Sequence, residues 1–293
     1  MTVRDRNGAQ GSTLSSVFAD WRGTEEQWLL VSPHDDDVIL GAGLLLLQAA
    51  REEISTTVSV VTDGRMGYCR LDQQEDIVAI RRGETDTALA MLGTTDIRRL
   101  EYPDCDLDRY TGRRSLLHGV APEKPDARGG HTGLQNSLTA CLRDIRPTRV
   151  FVPTGADLHP DHKAVHRELL ISLFHASDAV WPELGRALTE VPRLYEMAIY
   201  SDFPAPPTVQ LAAEQPDLDT KLASIKAFES QEQIDALVRT VRNAGPFEYF
   251  REVPFSLYDS RHYAHLFEPD VRATDADSSA PRATPPETRD IRE

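Results

Sequence analysis

Cysteine is scarce. Cys69, Cys105 and Cys141 are the only three, and no two of them form a CxxC pair. An odd count without that spacing argues against a disulfide-stapled secreted fold and fits a reduced, cytoplasmic setting. Long hydrophobic runs are also missing. The longest, Val38–Leu47, has 10 residues, about half of the ~20 needed to span a bilayer. The N-terminal MTVRDRNGAQGSTLSS has no apolar h-region, so no secretory signal is expected. Positive charge is in deficit: 32 Lys and Arg against 47 Asp and Glu leave a net charge of −15. Gripping a phosphate backbone or an anionic lipid surface takes clustered cations, so neither nucleic acid nor membrane is expected as a partner. There is no GxSxG, no HExxH, no P-loop, and no GxGxxG after a strand.

What is present is a chain of 293 residues, 40% of them hydrophobic. That is too apolar for a disordered chain and long enough for one large domain or two small ones. Residues 1–15 read as a flexible N-terminal tail. Residues 269–293, rich in Ala, Thr, Pro and charge, read as a disordered C-terminal tail. Residues 16–268 remain as a single domain. Within it, short apolar strands at 28–32, 56–62, 97–102, 149–153 and 194–201 alternate with helical patterns at 39–50, 74–92, 134–145, 162–175, 217–228 and 231–241. Alternation of this kind predicts an α/β fold: a Rossmann-like, mostly parallel sheet of order 3-2-1-4-5 with helices on both faces. Residues 103–133 hold three Pro and five Gly and form a long excursion, a candidate lid.

In such a sheet the loops after strands 1 and 4 face one crevice at the carboxyl ends of the strands. The first of these loops reads Ser32-Pro33-His34-Asp35-Asp36-Asp37. The second runs from Thr154 through Asp157 and Leu158 to His159-Pro160-Asp161-His162. Three consecutive Asp also suit a helix N-cap, and an HxDH pair by itself is weak. The coincidence of two ligand-rich loops on one crevice points to a metal site. Two imidazoles and a carboxylate with an open position make a catalytic zinc centre, and a nearby unligated carboxylate can serve as general base.

These residues resemble the PIG-L / LmbE-like zinc-dependent N-deacetylases, which hydrolyse N-acetyl groups on glucosamine-type sugars. The family's A-H-P-D-D-E motif stands here as Pro33-His34-Asp35-Asp36-Asp37-Val38, and its HPDH is intact at His159–His162. A T-D-G-x-x-G segment (Thr62–Gly67), an R-x-x-E segment with Arg81 and Glu84, Pro103-Asp104, and Lys221 with Ser230-Gln231 follow in order. The resemblance implies zinc, or another divalent metal, one per chain on His34, Asp37 and His162. It implies Asp36 as general base, His159 as the imidazole at the oxyanion or leaving amine, and Asp161 as the carboxylate orienting His159. Arg81 and Asp104 fall at sugar-contacting positions. Arg81 paired with Glu84 on a solvated helix face is the plain alternative. Asp35, in place of Pro, is expected to add negative charge near the metal. His166 is expected beside the site or on the surface, and Tyr68 and Tyr110 are candidates to stack on a sugar. The implied partner is a small amino-sugar substrate, with homo-oligomerisation left open. The alternatives are a zinc amidase acting on a thiol or other conjugate, and a catalytically silent metal-binding protein.

Overall fold

The structure is a computed structural model that describes residues 1–116, 127–255 and 258–267. Met1–Phe255 form one compact unit. Ser256–Glu293 form a second, whose described part holds a single short helical element at Ser260–Leu266. Residues 256–268, expected within the main domain, therefore belong to the second unit. The expected tail 269–293 lies outside the described residues.

The main unit is built on a nine-stranded sheet. Its strands are β1 (Thr2–Asp5), β2 (Gln10–Gly11), β3 (Gln27–Ser32), β4 (Ser55–Thr62), β5 (Asp96–Tyr102), β8 (Arg149–Pro153), β9 (Arg193–Met197), β10 (Val209–Ala212) and β11 (Phe247–Val253). Two short strands, β6 (Arg114–Ser115) and β7 (His131–Thr132), pair separately. The sheet order is β2-β1-β10-β11-β9-β8-β3-β4-β5. From β9 to β5 all neighbours are parallel; from β9 through β11 to β2 they are antiparallel. The sequence pattern shows only five strands. The antiparallel half escapes it because β1, β2 and β10 are short and because β11 turns a carboxylate, Glu248, to its buried face.

The N-terminal residues are not a tail. β1 pairs with β10 over its whole length, Val3 and Leu14 are fully buried, and Leu14 N donates to the Glu52 carboxylate. A segment that inserts two apolar side chains into the core and joins the sheet has enough burial to offset its ordering entropy.

Among the described residues, six helices cover the sheet: α1 (Asp37–Arg51), α2 (Ile77–Met91), α3 (Leu134–Ile145), α4 (Pro160–Ser177), α5 (Gln215–Lys226) and α6 (Ile234–Ala244). Successive strand residues point to opposite faces, and β3 shows the consequence. Trp28 and Leu30 join a core with residues of α1, α2 and α5, while Leu29 and Val31 join a second core with residues of α3 and α4. A strand covered on both faces reads as a continuous apolar run, as WLLV does. β3 and β8 lie side by side, so the turns from their carboxyl ends into α1 and α4 share one end of the sheet.

Candidate metal centre

The first turn is held rigidly. Ser32 Oγ donates to His34 O and accepts from Val38 N, and Thr62 at the end of β4 donates to Pro33 O through both its backbone and its hydroxyl. Asp36 occupies the position before α1, yet its side chain makes no capping hydrogen bond. The Asp37 carboxylate, fully buried, accepts from His34 N at 2.7 Å. The second turn places His159 at the N-cap of α4 and His162 in the first turn of that helix, fully buried.

Three donor atoms from the two turns meet in a triangle. His34 Nδ1 lies 3.2 Å from Asp37 Oδ2 and 3.2 Å from His162 Nε2, and His162 Nε2 lies 3.1 Å from Asp37 Oδ2. Zinc bonds of about 2.05 Å in a tetrahedron put donor atoms about 3.3 Å apart, so the triangle is nearly one face of such a site. The other Asp37 oxygen, Oδ1, is buried without a hydrogen-bond partner, as a carboxylate reserved for a cation would be. The remaining nitrogen of each imidazole faces carboxylate. His34 Nε2 lies 3.1 Å from Asp104 Oδ1 and 3.3 Å from Asp161 Oδ2, and His162 Nδ1 lies 3.2 Å from Asp157 Oδ2. Carboxylates behind metal-binding imidazoles fix tautomer and ring orientation. His159 lies beside this set: His34, His159 and His162 place ring nitrogens within 4.8 Å of one another, as do the donor atoms of His34, Asp104 and Asp161.

The electrostatics follow from burial and pairing. Burial pushes the His34 pKa down, but the Asp37 charge and the contacts to Asp104 and Asp161 outweigh it and raise the pKa well above the usual value. Burial would raise the Asp37 pKa; the neighbouring imidazoles instead hold it far below the carboxylate range. Burial acts on Asp104 in the same direction, and His34 outweighs it to lower the pKa. For His159 burial comes first, with His34 and His162 adding to it, and its pKa is lowered.

Several sequence expectations change partner. Asp161, expected to orient His159, sets its carboxylate against His34, because the Cys105 and Leu107 amides hold it there at 2.9 and 3.4 Å. His159 Nδ1 accepts from Asp161 N instead, at 3.2 Å. Asp104, expected at the sugar, is 7% exposed, faces His34 and accepts from Met66 N. Arg81 is 4% exposed and is committed to Asp35 and Asp36, not to Glu84, which binds Ser230. Asp35 pairs with Arg81 and Thr85. His166 pairs with the buried Glu196 at 2.9 Å, beside the loop but outside the donor triangle. Tyr110 packs edge-on against Tyr102, and Tyr68 is half-buried. The aromatic ring at the cluster is Tyr200, stacked on His162 at 5.3 Å between centroids. Tyr200 and Asp157 are joined, since Tyr200 N donates to Asp157 Oδ2. The sequence signal for Asp157 is its place two residues before HPDH. Tyr200 has none, because it lies beyond the end of β9. Of the excursion read as a lid, residues 117–126 lie outside the described residues; the part around Cys105 and Leu107 helps to build the site.

A cavity of about 570 Å³ lies at the opposite end of the parallel strands, beside Arg149 and Arg193. Its arginines are matched by acids, Arg22 with Glu190 and Arg193 with Asp20 and Glu252.

Comparison with known proteins gives the class. Residues 29–172, from β3 into α4, match the family model "PIG-L: GlcNAc-PI de-N-acetylase". A 1D-myo-inositol 2-acetamido-2-deoxy-alpha-D-glucopyranoside deacetylase of Nocardioides sp. is 28% identical over 178 residues, 56% of this chain and 58% of that protein. The Saccharopolyspora erythraea deacetylase 2 of the same description is 28% identical over 236 residues, 71% of this chain and 84% of that one. Among solved structures, a conserved protein from Thermus thermophilus superposes with a TM-score of 0.61 at 25% identity, over 80% of this chain and 98% of that one.

Proposed function

We propose that the chain is a zinc-dependent N-deacetylase that hydrolyses the acetamide of an N-acetylglucosamine-type amino sugar or its conjugate. One zinc ion is held by His34, Asp37 and His162. The five parallel strands are read as a Rossmann-like sheet with this centre at its switch point. The observation that carries the reading is the donor triangle with edges of 3.1–3.2 Å, each imidazole backed by a carboxylate. Two nitrogens and one oxygen suit zinc; magnesium and calcium take oxygen ligands. The relatives' deacetylase names supply the substrate class.

A metal ion bound here supplies Lewis-acid activation of water and of the amide carbonyl. The protein does the rest. Asp36, next in the chain to Asp37 and with its side chain 20% exposed, takes the proton of the attacking water. His159 accepts an amide N–H at Nδ1, so its neutral ring carries the proton at Nε2. That N–H donates to the carbonyl oxygen as charge develops there, and the proton that Asp36 took from the water passes to the leaving amine as the C–N bond breaks. Asp157 Oδ2 lies 3.2 Å from His162 Nδ1, on the side of the ring away from the triangle. Three free thiols suit a reducing compartment, and the proposed setting is cytoplasmic. Among the described residues no helix is long and apolar enough to cross a membrane.

The test is metal content by mass spectrometry, with amine release from a panel of N-acetylglucosamine conjugates. About one zinc per chain, absent from His162→Ala, is expected. Asp36→Ala keeps its metal and loses kcat by roughly 100-fold or more. A metal-free wild-type protein, or full turnover by Asp36→Ala, overturns the assignment.

A further inference from the structure

Arg81 has no role in the chemistry above, and its placement gives it one. It rises from the second turn of α2 and is 4% exposed. Its Nε lies 3.2 Å from Asp35 Oδ2 and its Nη2 lies 3.5 Å from Asp36 Oδ1. Its Cζ lies over the Phe228 ring, 5.1 Å from the centroid. The pairing partner is itself immobilised. Asp35 is 5% exposed and accepts from Thr85 Oγ1 at 3.3 Å. The loop after β4 closes over it at Gly64, where a Cβ would stand 2.1 Å from Asp35 Oδ2. Gly64 also has φ +69°, a backbone region costly to other residues.

Asp36, by contrast, is partly exposed, makes no capping bond, and among the described residues has Arg81 as the one cation within 4 Å of its carboxylate. A carboxylate that must meet a water from one direction gains from a fixed second oxygen. A planar guanidinium, held at Nε by a second carboxylate, fixes such an oxygen where a flexible ammonium does not.

We propose that Arg81, anchored by Asp35, is a positioning residue that holds the Asp36 carboxylate in its working orientation. The proposal rests on Asp36 as general base. Removing the guanidinium leaves the metal triangle in place and lets the base swing. Misplacement by about 1 Å costs a rate on the order of 100-fold, so the loss belongs in kcat.

The experiment is a double-mutant cycle on the zinc-loaded full chain, read as kcat and KM for amine release together with metal content and unfolding temperature. Arg81→Met is expected to lower kcat by roughly 10- to 100-fold with KM and zinc within about 3-fold of wild type. Arg81→Lys keeps the charge and restores little of the rate. In an Asp36→Ala background, Arg81→Met costs nothing further, because it acts through the carboxylate already removed. The near-isosteric Asp35→Asn is run through the same cycle, so that a folding failure of Arg81→Met leaves an informative arm. Costs of Arg81→Met or Asp35→Asn that persist undiminished in the Asp36→Ala background, or that fall on KM alone, overturn this proposal and leave the general base intact. Full turnover by Asp36→Ala overturns the base assignment, and this proposal with it.

Discussion

At the scale of single residues, the site is distinguished by which atom faces what. His34 turns Nδ1 to the triangle and Nε2 to two carboxylates; His162 turns Nε2 to the triangle and Nδ1 to Asp157. Asp157 is fully buried and also accepts from His159 N and Tyr200 N, so it ties the second loop, its N-cap histidine and the end of β9 to one carboxylate. Asp157→Asn keeps the volume but removes the charge behind His162. Zinc affinity, measured by competition with a chromophoric chelator, is expected to fall by about 10- to 100-fold. An unchanged affinity would show that ring orientation is set by packing alone.

Among the elements, α1 carries an irregularity with an identifiable cause. Its path breaks at Ala42, with φ −142°. A buried ion pair meets the backbone on both sides of the break. Lys221 Nζ donates to Leu40 O at 2.7 Å and to Glu248 at 2.6 Å, while Glu248 accepts from Leu44 N and Leu45 N at 2.8 and 3.0 Å. Gly43 leaves the room, since a Cβ there would sit 3.1 Å from Lys221 Cγ. Both charges are nearly inaccessible, so Lys221→Met strands Glu248 without a counter-charge. Unfolding in urea is expected to show a loss of about 3–5 kcal/mol. A loss under about 1 kcal/mol would mean that water replaces the lysine. Because α1 begins with Asp37, the proposed metal ligand, the same variant is a sensitive probe of how firmly the first loop is held.

At the scale of the whole molecule, the sheet is closed on its far side by the chain's own beginning. β1 covers the edge of β10 with a four-residue ladder, and Val3 sits in the same core as Trp28 and Leu30. Deleting residues 2–11 removes that ladder and bares an edge strand. Stability is expected to fall by roughly 3–6 kcal/mol, from one buried valine and the lost ladder bonds, with self-association seen by light scattering. Unchanged stability would restore these residues to the tail they resemble in sequence. Short strands at an end of a chain give no periodicity long enough to read, which is why composition alone misplaces them.

The sequence by itself determined the alternation of apolar strands with helices, the two polar loops, and the residue types they bring. The meeting of His34, Asp37, His159 and His162 is legible because loops rich in His and Asp follow short apolar strands, and strand alternation puts such loops at one end of a sheet. Tertiary structure alone decided the partners. Asp161 serves His34 and not His159, Asp104 lies behind the cluster and not at its mouth, and Arg81 is committed to Asp35 and Asp36. The reason is physical. Periodicity and loop composition depend on neighbours along the chain. The direction of a carboxylate depends on amides and cations brought to it from 38 to 56 residues away, and those distances close only when the sheet forms.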